Sequence, residues 1–401
     1  MRWHGVKVLA FALGVSTAAD AQTAMEALKG GKVSGDFRYR LESVDQAGFA
    51  RNALASTLRS RVGYETGAFN GFKALIEFED IRPIGDDRFN STTNGKLTLP
   101  TVADPKITEL NRAHIGYTAE KFNATVGRQR FNFDNQRFVG GVGFRQNEQT
   151  YDAARVNLTP TKEAAFTYAY VWRVNRVFGR DNPLGRFKGD THILNGSYTF
   201  PIGKLSAYGY LLETKPSNVN SSNTFGLRFA GNRKINDGFT AQYALEFADQ
   251  SDAKANAIDY SLNYYLAEGG GSFGAASARV GYEVLEGDGR IGFATPLATL
   301  HAFQGFADVF LTTPTAGIED LYAVADYTFK FESGLKSLRL AAWVHDYSRE
   351  FGAGSLGDEI NLVATAIFTD NVSAELKFAD YNGVPGFASR QKFWAAVTLT
   401  F

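Results

Sequence analysis

The chain has 401 residues with 42 basic and 42 acidic side chains, so its zero net charge makes no electrostatic case for a nucleic-acid partner. It has no cysteine, which excludes a disulfide framework and thiolate chemistry. A soluble chain this long would divide into two or three domains, but 33 Phe, 18 Tyr and 41 Gly against 10 Pro, with no transmembrane-length apolar run after residue 21, point to one continuous β texture.

The N-terminus reads as a cleaved signal peptide over residues 1–21. Arg2 and Lys7 give a positive start, Val8 to Val15 a short apolar core, and Ala19-Asp20-Ala21 a small-residue cleavage site, leaving a mature barrel over 22–401. From Lys32 onward, segments alternate apolar and polar residues, the period of a strand. Phe37, Tyr39 and Leu41 oppose Asp36, Arg38, Arg40 and Glu42. Midway, Ile258, Tyr260, Leu262, Tyr264 and Leu266 oppose Asp259, Ser261 and Asn263. At the end, Phe393, Ala395, Val397, Leu399 and Phe401 oppose Lys392, Trp394, Thr398 and Thr400.

These segments are too long for ordinary soluble strands and match the ~9–11 residues of a tilted membrane strand. Aromatics gather near strand ends, at Tyr64, Phe69 and Phe72, at Tyr198 and Phe200, and at Tyr327, Phe329 and Phe331, where interfacial girdles belong. Short connections (Gly67–Gly71, Ala119–Phe122, Pro160–Ala164, Pro201–Lys204, Asp370–Asn371) should face the periplasm. Long ones (Ile84–Lys106, Phe178–Asp190, Lys215–Ser222, Gly287–Ile318, Asn382–Arg390) should face outward. The predicted fold is all-β: a transmembrane antiparallel up-and-down barrel of about 18 strands. Their starts fall near 33, 54, 71, 107, 122, 150, 164, 190, 203, 223, 238, 256, 273, 318, 336, 358, 371 and 391. Thr299–Leu311 could pass for a nineteenth, but Pro296 and Pro314 bracket it and both termini on one side require an even count. The expected location is the outer membrane of a Gram-negative cell, with lipid and lipopolysaccharide around the wall. The terminal Phe401 is the kind of signal read by the assembly machinery of that membrane.

Charges on the polar face belong in a wet lumen, because a charge at mid-bilayer on the lipid face costs about 2–4 kcal/mol. Alternation places there Arg38, Arg40, Arg59, Arg61, Arg112, Arg155, Arg228, Arg279, Arg339, Lys377 and Lys392. The acids assigned to the same face are Asp36, Glu77, Glu79, Glu246, Asp259, Glu283, Asp326 and Glu375. Most would pair across strands and order the wall. A sharper reading rests on asymmetry: residues 33–188 hold 23 Lys+Arg against 17 Asp+Glu, and residues 189–401 hold 15 against 23. The arginines of the first seven strands, including Arg128, Arg130 and Arg173, could then form a track for anionic solutes. Arg128 and Arg130 share the phase of Ala124 and Val126, so a bulge near Gly127 would be needed to turn them inward.

Catalytic arrangements are poor. His4, His114, His192, His301 and His345 lack metal-ligand spacing, no G-x-S-x-G is present, and His192 and Ser197 fall on opposite strand faces. Gly269–Gly271 reads as a flexible turn. No enzyme activity, cofactor or metal is expected.

Two segments go further. Val126–Val156 (VGRQRFNFDNQRFVGGVGFRQNEQTYDAARV) and Thr295–Tyr322 (TPLATLHAFQGFADVFLTTPTAGIEDLY) resemble the alginate-export family of outer-membrane proteins. The resemblance implies an 18-stranded monomeric barrel with an arginine-rich conduit for a polyanionic polysaccharide. Carried over by motif, Arg128, Arg130, Arg137, Arg145 and Arg155 are its candidates here. In the second segment Asp308 and His301 could cap helical turns, and the loop should serve packing or gating. The expected function is a channel that passes anionic solutes, whether acidic saccharides, organic acids or an alginate-like polysaccharide, by diffusion or export. The alternatives are a general porin and a filled structural barrel.

Overall fold

The computed structural model describes residues 18–85, 87–253 and 256–401. Most of the expected leader, residues 1–17, lies outside the described residues; a helix α1 (Ala18–Lys29) follows and runs across the expected cleavage point. Eighteen strands and two single-turn 3-10 helices (Asn218–Asn220 and Leu300–Ala302) make up the rest of the regular structure among the described residues. The first half comprises β1 (Lys32–Gln46), β2 (Ala53–Glu65), β3 (Phe72–Pro83), β4 (Ile107–Ala119), β5 (Phe122–Gln129), β6 (Thr150–Leu158), β7 (Ala164–Asn175), β8 (Arg186–Phe200) and β9 (Gly203–Leu212). The second comprises β10 (Ser222–Lys234), β11 (Phe239–Asp252), β12 (Ser261–Phe273), β13 (Ala276–Leu285), β14 (Ile318–Lys330), β15 (Ser337–Ser348), β16 (Ser355–Ile367), β17 (Val372–Asn382) and β18 (Arg390–Thr400).

Each strand pairs antiparallel with its chain neighbours, and β1 closes on β18 from Asp36↔Thr400 to Gln46↔Arg390. Closure leaves no strand edge, so every ladder N–H and C=O can be satisfied where water is absent. An even strand count returns both ends of the barrel to one side. The connections there are short, and the long ones (84–106, 130–149, 286–317) all lie at the opposite rim.

The outer face carries the apolar alternation: Val126, Leu245, Phe247, Val280 and Val397 are all exposed. Near the short turns, aromatic pairs Tyr198–Phe200 and Tyr327–Phe329 stand with ring centroids 4.7 and 4.6 Å apart, in the expected girdle position. On the inner face Arg40, Glu42, Arg59, Arg61, Glu77, Glu79 and Lys392 are buried from solvent.

Strand starts agree with the sequence pattern within three residues, except in β8 and β12. Gly269–Gly271 lie inside β12 rather than in a turn; the turn is Gly274–Ala275. The apolar row of β12 also faces the other way. Leu262, Tyr264 and Leu266 are buried inside the barrel, and Tyr265 and Phe273 stand on the outer face. Asp259, expected in the lumen, precedes the strand and is exposed. The cause is the bore itself, part of which is dry.

Candidate functional site

Two connections fold deepest into the bore, and a third (84–106) lays Phe89 and Val102 against Val44, Ala53 and Ala55 of the β1–β2 wall. The β5–β6 connection (130–149) and the β13–β14 connection (286–317) fold into the barrel. Their composition is that of a core: Phe131, Phe138, Val139, Phe293, Leu297, Ala307 and Phe310 are buried against inward Tyr151, Tyr208, Tyr210, Tyr264, Tyr347 and Trp394. Each such aromatic stabilises the in-folded state by roughly 2–3 kcal/mol of area burial. This explains the reversed face of β12: Tyr264 meets Phe138 edge-on at 5.2 Å and donates to Glu283 at 2.7 Å. The connections are also stitched to each other. The Gly140 amide donates to Leu297 at 2.9 Å, and a Cβ at Gly140 would sit 2.3 Å from Thr299 Oγ1, an approach that only glycine permits.

The candidate arginines meet different fates. Arg38 donates to Gln146 Oε1 at 2.9 Å and to the carbonyls of Gly143, Phe144 and Arg145. Arg40 pairs with Asp104, Arg61 with Glu79, Arg59 with Asp36 at 2.5 Å, and Arg112 with Glu77 at 2.6 Å. Arg130 holds Glu148 at 2.5 Å. Arg137, fully buried, bridges the two connections and the wall through Glu283 at 2.7 Å and Gln304 at 3.1 Å. Arg145 reaches Glu42 at 3.1 Å and Asp308 at 2.8 Å, and Arg155 lies over the Phe131 ring at 5.3 Å. Arg128 and Arg173 are corrections. The β4–β5 ladder runs without a register shift, so Ala113↔Arg128 continues Ile115↔Val126 on the outer face, where Ile115 and Val126 are exposed. Antiparallel partners share a face. Arg128 therefore stays outside near the loop rim with Asp152, at 2.7 Å, and Arg173 pairs with the same Asp152 at 3.3 Å.

His301 sits inside the 3-10 turn Leu300–Ala302, whose N-cap Thr299 makes no side-chain cap, and neither His301 nor Asp308 caps it. They form the centre of a buried junction. Asp308 accepts from Lys392 at 2.6 Å, from His301 Nδ1 at 2.7 Å and from Arg145 at 2.8 Å. His301 Nε2 accepts from Lys377 at 3.1 Å, and its ring stacks on Phe144 at 3.4 Å and on Phe306 at 5.1 Å. Burial draws the His301 imidazole down to about 3 against the pull of Asp308, so the neutral ring donates on one side and accepts on the other. Burial opposes ionisation of Asp308, but Lys392, His301 and Arg145 outweigh it and hold the carboxyl well below its ordinary range.

Open space remains along β9–β15. Two cavities of about 380 and 260 Å3 share Asn135, Arg228, Glu268 and Arg279 as lining, and so form one passage beside the in-folded connections. Arg228 and Arg279 were legible as lumen charges, as was the neighbouring Arg339, but none joined the predicted track. Their signal was an inward phase at strand positions whose acid partners, Glu246, Glu268 and Asp326, lie on the wall and not in an in-folded segment. Each pairs with an acid, yet the cation is the partner that meets water. Lys204 is 47% exposed against 9% for Asp134, Arg339 39% against 18% for Asp326, and Arg279 36% against 17% for Glu268. Among the described residues no group of three His, Cys, Asp or Glu side chains is placed to hold a metal.

The profile of a family described as "Alginate export" matches residues 31–288. No curated protein matches the sequence at a significant level. Among solved structures, Acinetobacter baumannii OccAB4 superposes with a TM-score of 0.74 at 13% identity, covering 92% of this chain and 98% of that one. Pseudomonas aeruginosa OpdO gives 0.71 at 13% identity over 94% and 99%. Pseudomonas aeruginosa OpdQ gives 0.69 at 15% identity over 94% and 99%.

Proposed function

The chain belongs to the alginate export family, and from that premise we propose that it is a passive channel for small anionic solutes, acidic saccharides and organic acids among them. It is an outer-membrane β-barrel of Gram-negative type and a channel, not an enzyme. One observation carries the anionic preference: in Lys204–Asp134 and Arg279–Glu268, which line the passage, and in Arg339–Asp326 beside it, the cation is the more exposed partner. A permeating anion meets exposed Lys204, Arg279 and Arg339, while the fixed negative charge is farther away and partly screened by its own partner. The arginines of β1–β4 and of the in-folded segments, held by Asp36, Glu42, Glu77, Glu79, Asp104, Glu148 and Glu283 or, for Arg38, by Gln146 and main-chain carbonyls, serve as a wall-ordering ladder. An alginate-like polymer would need the 286–317 segment to swing aside, since the passage holds only molecules of small size.

The barrel acts as a monomer in this reading, residues 1–21 are removed on export, and Phe401 marks the chain for assembly. Planar-bilayer recording with a salt gradient tests the proposal. The reversal potential should show anion preference, and Arg279→Gln with Arg339→Gln should move it toward zero. A cation-selective wild-type channel would overturn the preference, and the absence of conductance would favour a filled barrel.

A further inference from the structure

A third cavity, of about 320 Å3, lies on the long-loop side of the bore, apart from the passage along β9–β15. Its volume falls at the lower end of small-ligand sites. Much of its wall is apolar, with Phe49 from the β1–β2 connection, Phe178 from β7–β8, and Leu300 and Leu311 from β13–β14. Its charged lining is one-sided. Arg145, Arg176, Arg390 and Lys392 face a single acid, Asp308. Arg145 and Lys392 are spoken for, because both also reach Glu42. Arg176 and Arg390 are different: among the described residues their hydrogen bonds go only to main-chain carbonyls. Arg176 donates to Leu184 at 3.0 Å and lies over the Phe187 ring at 4.2 Å. Arg390 donates to Ala307 and Asp308 at 2.9 and 3.0 Å, and its buried Nε has no partner. Two guanidinium groups without a carboxylate, beside a greasy wall, leave a positive charge that solvent only partly compensates.

We propose that this cavity is a vestibule subsite for small amphiphilic carboxylates, the anionic head held by Arg176 and Arg390 and the apolar body laid against Phe178, Leu300 and Leu311. Burial lowers the Arg176 guanidinium to about 10, so it remains charged at neutral pH. A sugar acid of the same charge fits the heads but not the wall. Its hydroxyls would leave water for side chains that offer no hydrogen bond, which opposes binding. The inference deepens the channel reading, on which it rests for its role: the subsite would load the passage with apolar-bodied organic acids in preference to saccharides.

Hexanoate and glucuronate separate the two classes, since both are six-carbon monocarboxylates and only one carries hydroxyls. Calorimetric titration of the purified full-length barrel, with the empty micelle subtracted, should show saturable hexanoate binding at least tenfold tighter than glucuronate. Arg390→Gln and Arg176→Gln should each weaken hexanoate tenfold or more, with Arg390→Lys retaining part of it. Leu311→Asn, on an exposed loop position, should weaken hexanoate and leave the barrel fold and the reversal potential in potassium chloride unchanged. Equal affinity for the two acids, or hexanoate binding indifferent to both arginine substitutions, would overturn the subsite. Binding is read without current, so a silent or cation-selective channel would sink the reading above and leave this one standing.

Discussion

At Asp308 one carboxylate joins three donors from three parts of the chain: Lys392 on the wall, Arg145 in one in-folded segment and His301 in the other. The motif around His301 and Asp308 was visible in the sequence, but the partners Lys392 and Arg145 were not, because they lie 84 and 163 residues from Asp308 in the chain. The junction makes a pH statement. An unfolded imidazole titrates near 6.5, whereas the folded one stays neutral down to about 3. In that window the unfolded or released segment binds the extra proton. The stabilisation is therefore complete above about pH 6.5 and is lost as pH falls toward 3, by up to about 1.4 kcal/mol per unit. Hydrogen-exchange protection of residues 299–310, corrected for intrinsic rates, should drop between pH 7 and 4.5. His301→Gln should abolish most of that drop, and equal protection at both pH values would refute the junction's role. At the other end, Phe401 stacks on Phe37 at 6.1 Å and its amide donates to Gly35 at 3.0 Å, closing the last rung. Removing Phe401 should lower the amount of barrel recovered from the outer membrane severalfold. An unchanged yield would show that the terminal ring is only packing.

Among the elements, the strands were readable and the in-folded connections were not. Period-2 alternation fixes which residues share a face, but not which face meets lipid. For β1 and β18 the charged row settles the matter. On β12 both rows are nearly uncharged, and Tyr264 turned inward because Phe138 and Phe293 fill the bore opposite it. The 130–149 segment carried a usable signal: buried-type aromatics (Phe131, Phe138, Phe144) at a position where a solvent loop should be polar. If that filling sets the bore, replacing residues 296–314 with a short Gly/Ser linker should raise single-channel conductance severalfold while the barrel still folds. Unaltered conductance would mean that the segment lies beside the ion path and not across it.

For the molecule as a whole, zero net charge conceals an uneven placement of charge. The arginine-rich first half is neutralised where the in-folded segments pack on it, and the second half, acidic by count, presents its cations to the water. Selectivity built from such exposed charges is screened by salt, since the Debye length shrinks from about 10 Å at 0.1 M to about 3 Å at 1 M. The anion-to-cation permeability ratio should fall toward one across that range. A ratio independent of salt would point to buried binding in place of surface charge.

Composition and periodicity alone pointed to a closed, antiparallel, lipid-embedded barrel of about 18 strands with its long connections at one rim, because those follow from local alternation and connection length. The motifs over Val126–Val156 and Thr295–Tyr322 carried the family. Only the tertiary structure decided which arginines are spent and which are free. An arginine's availability depends on the acid that meets it across the bore, and on whether a segment distant in sequence has folded in to exclude the water between them.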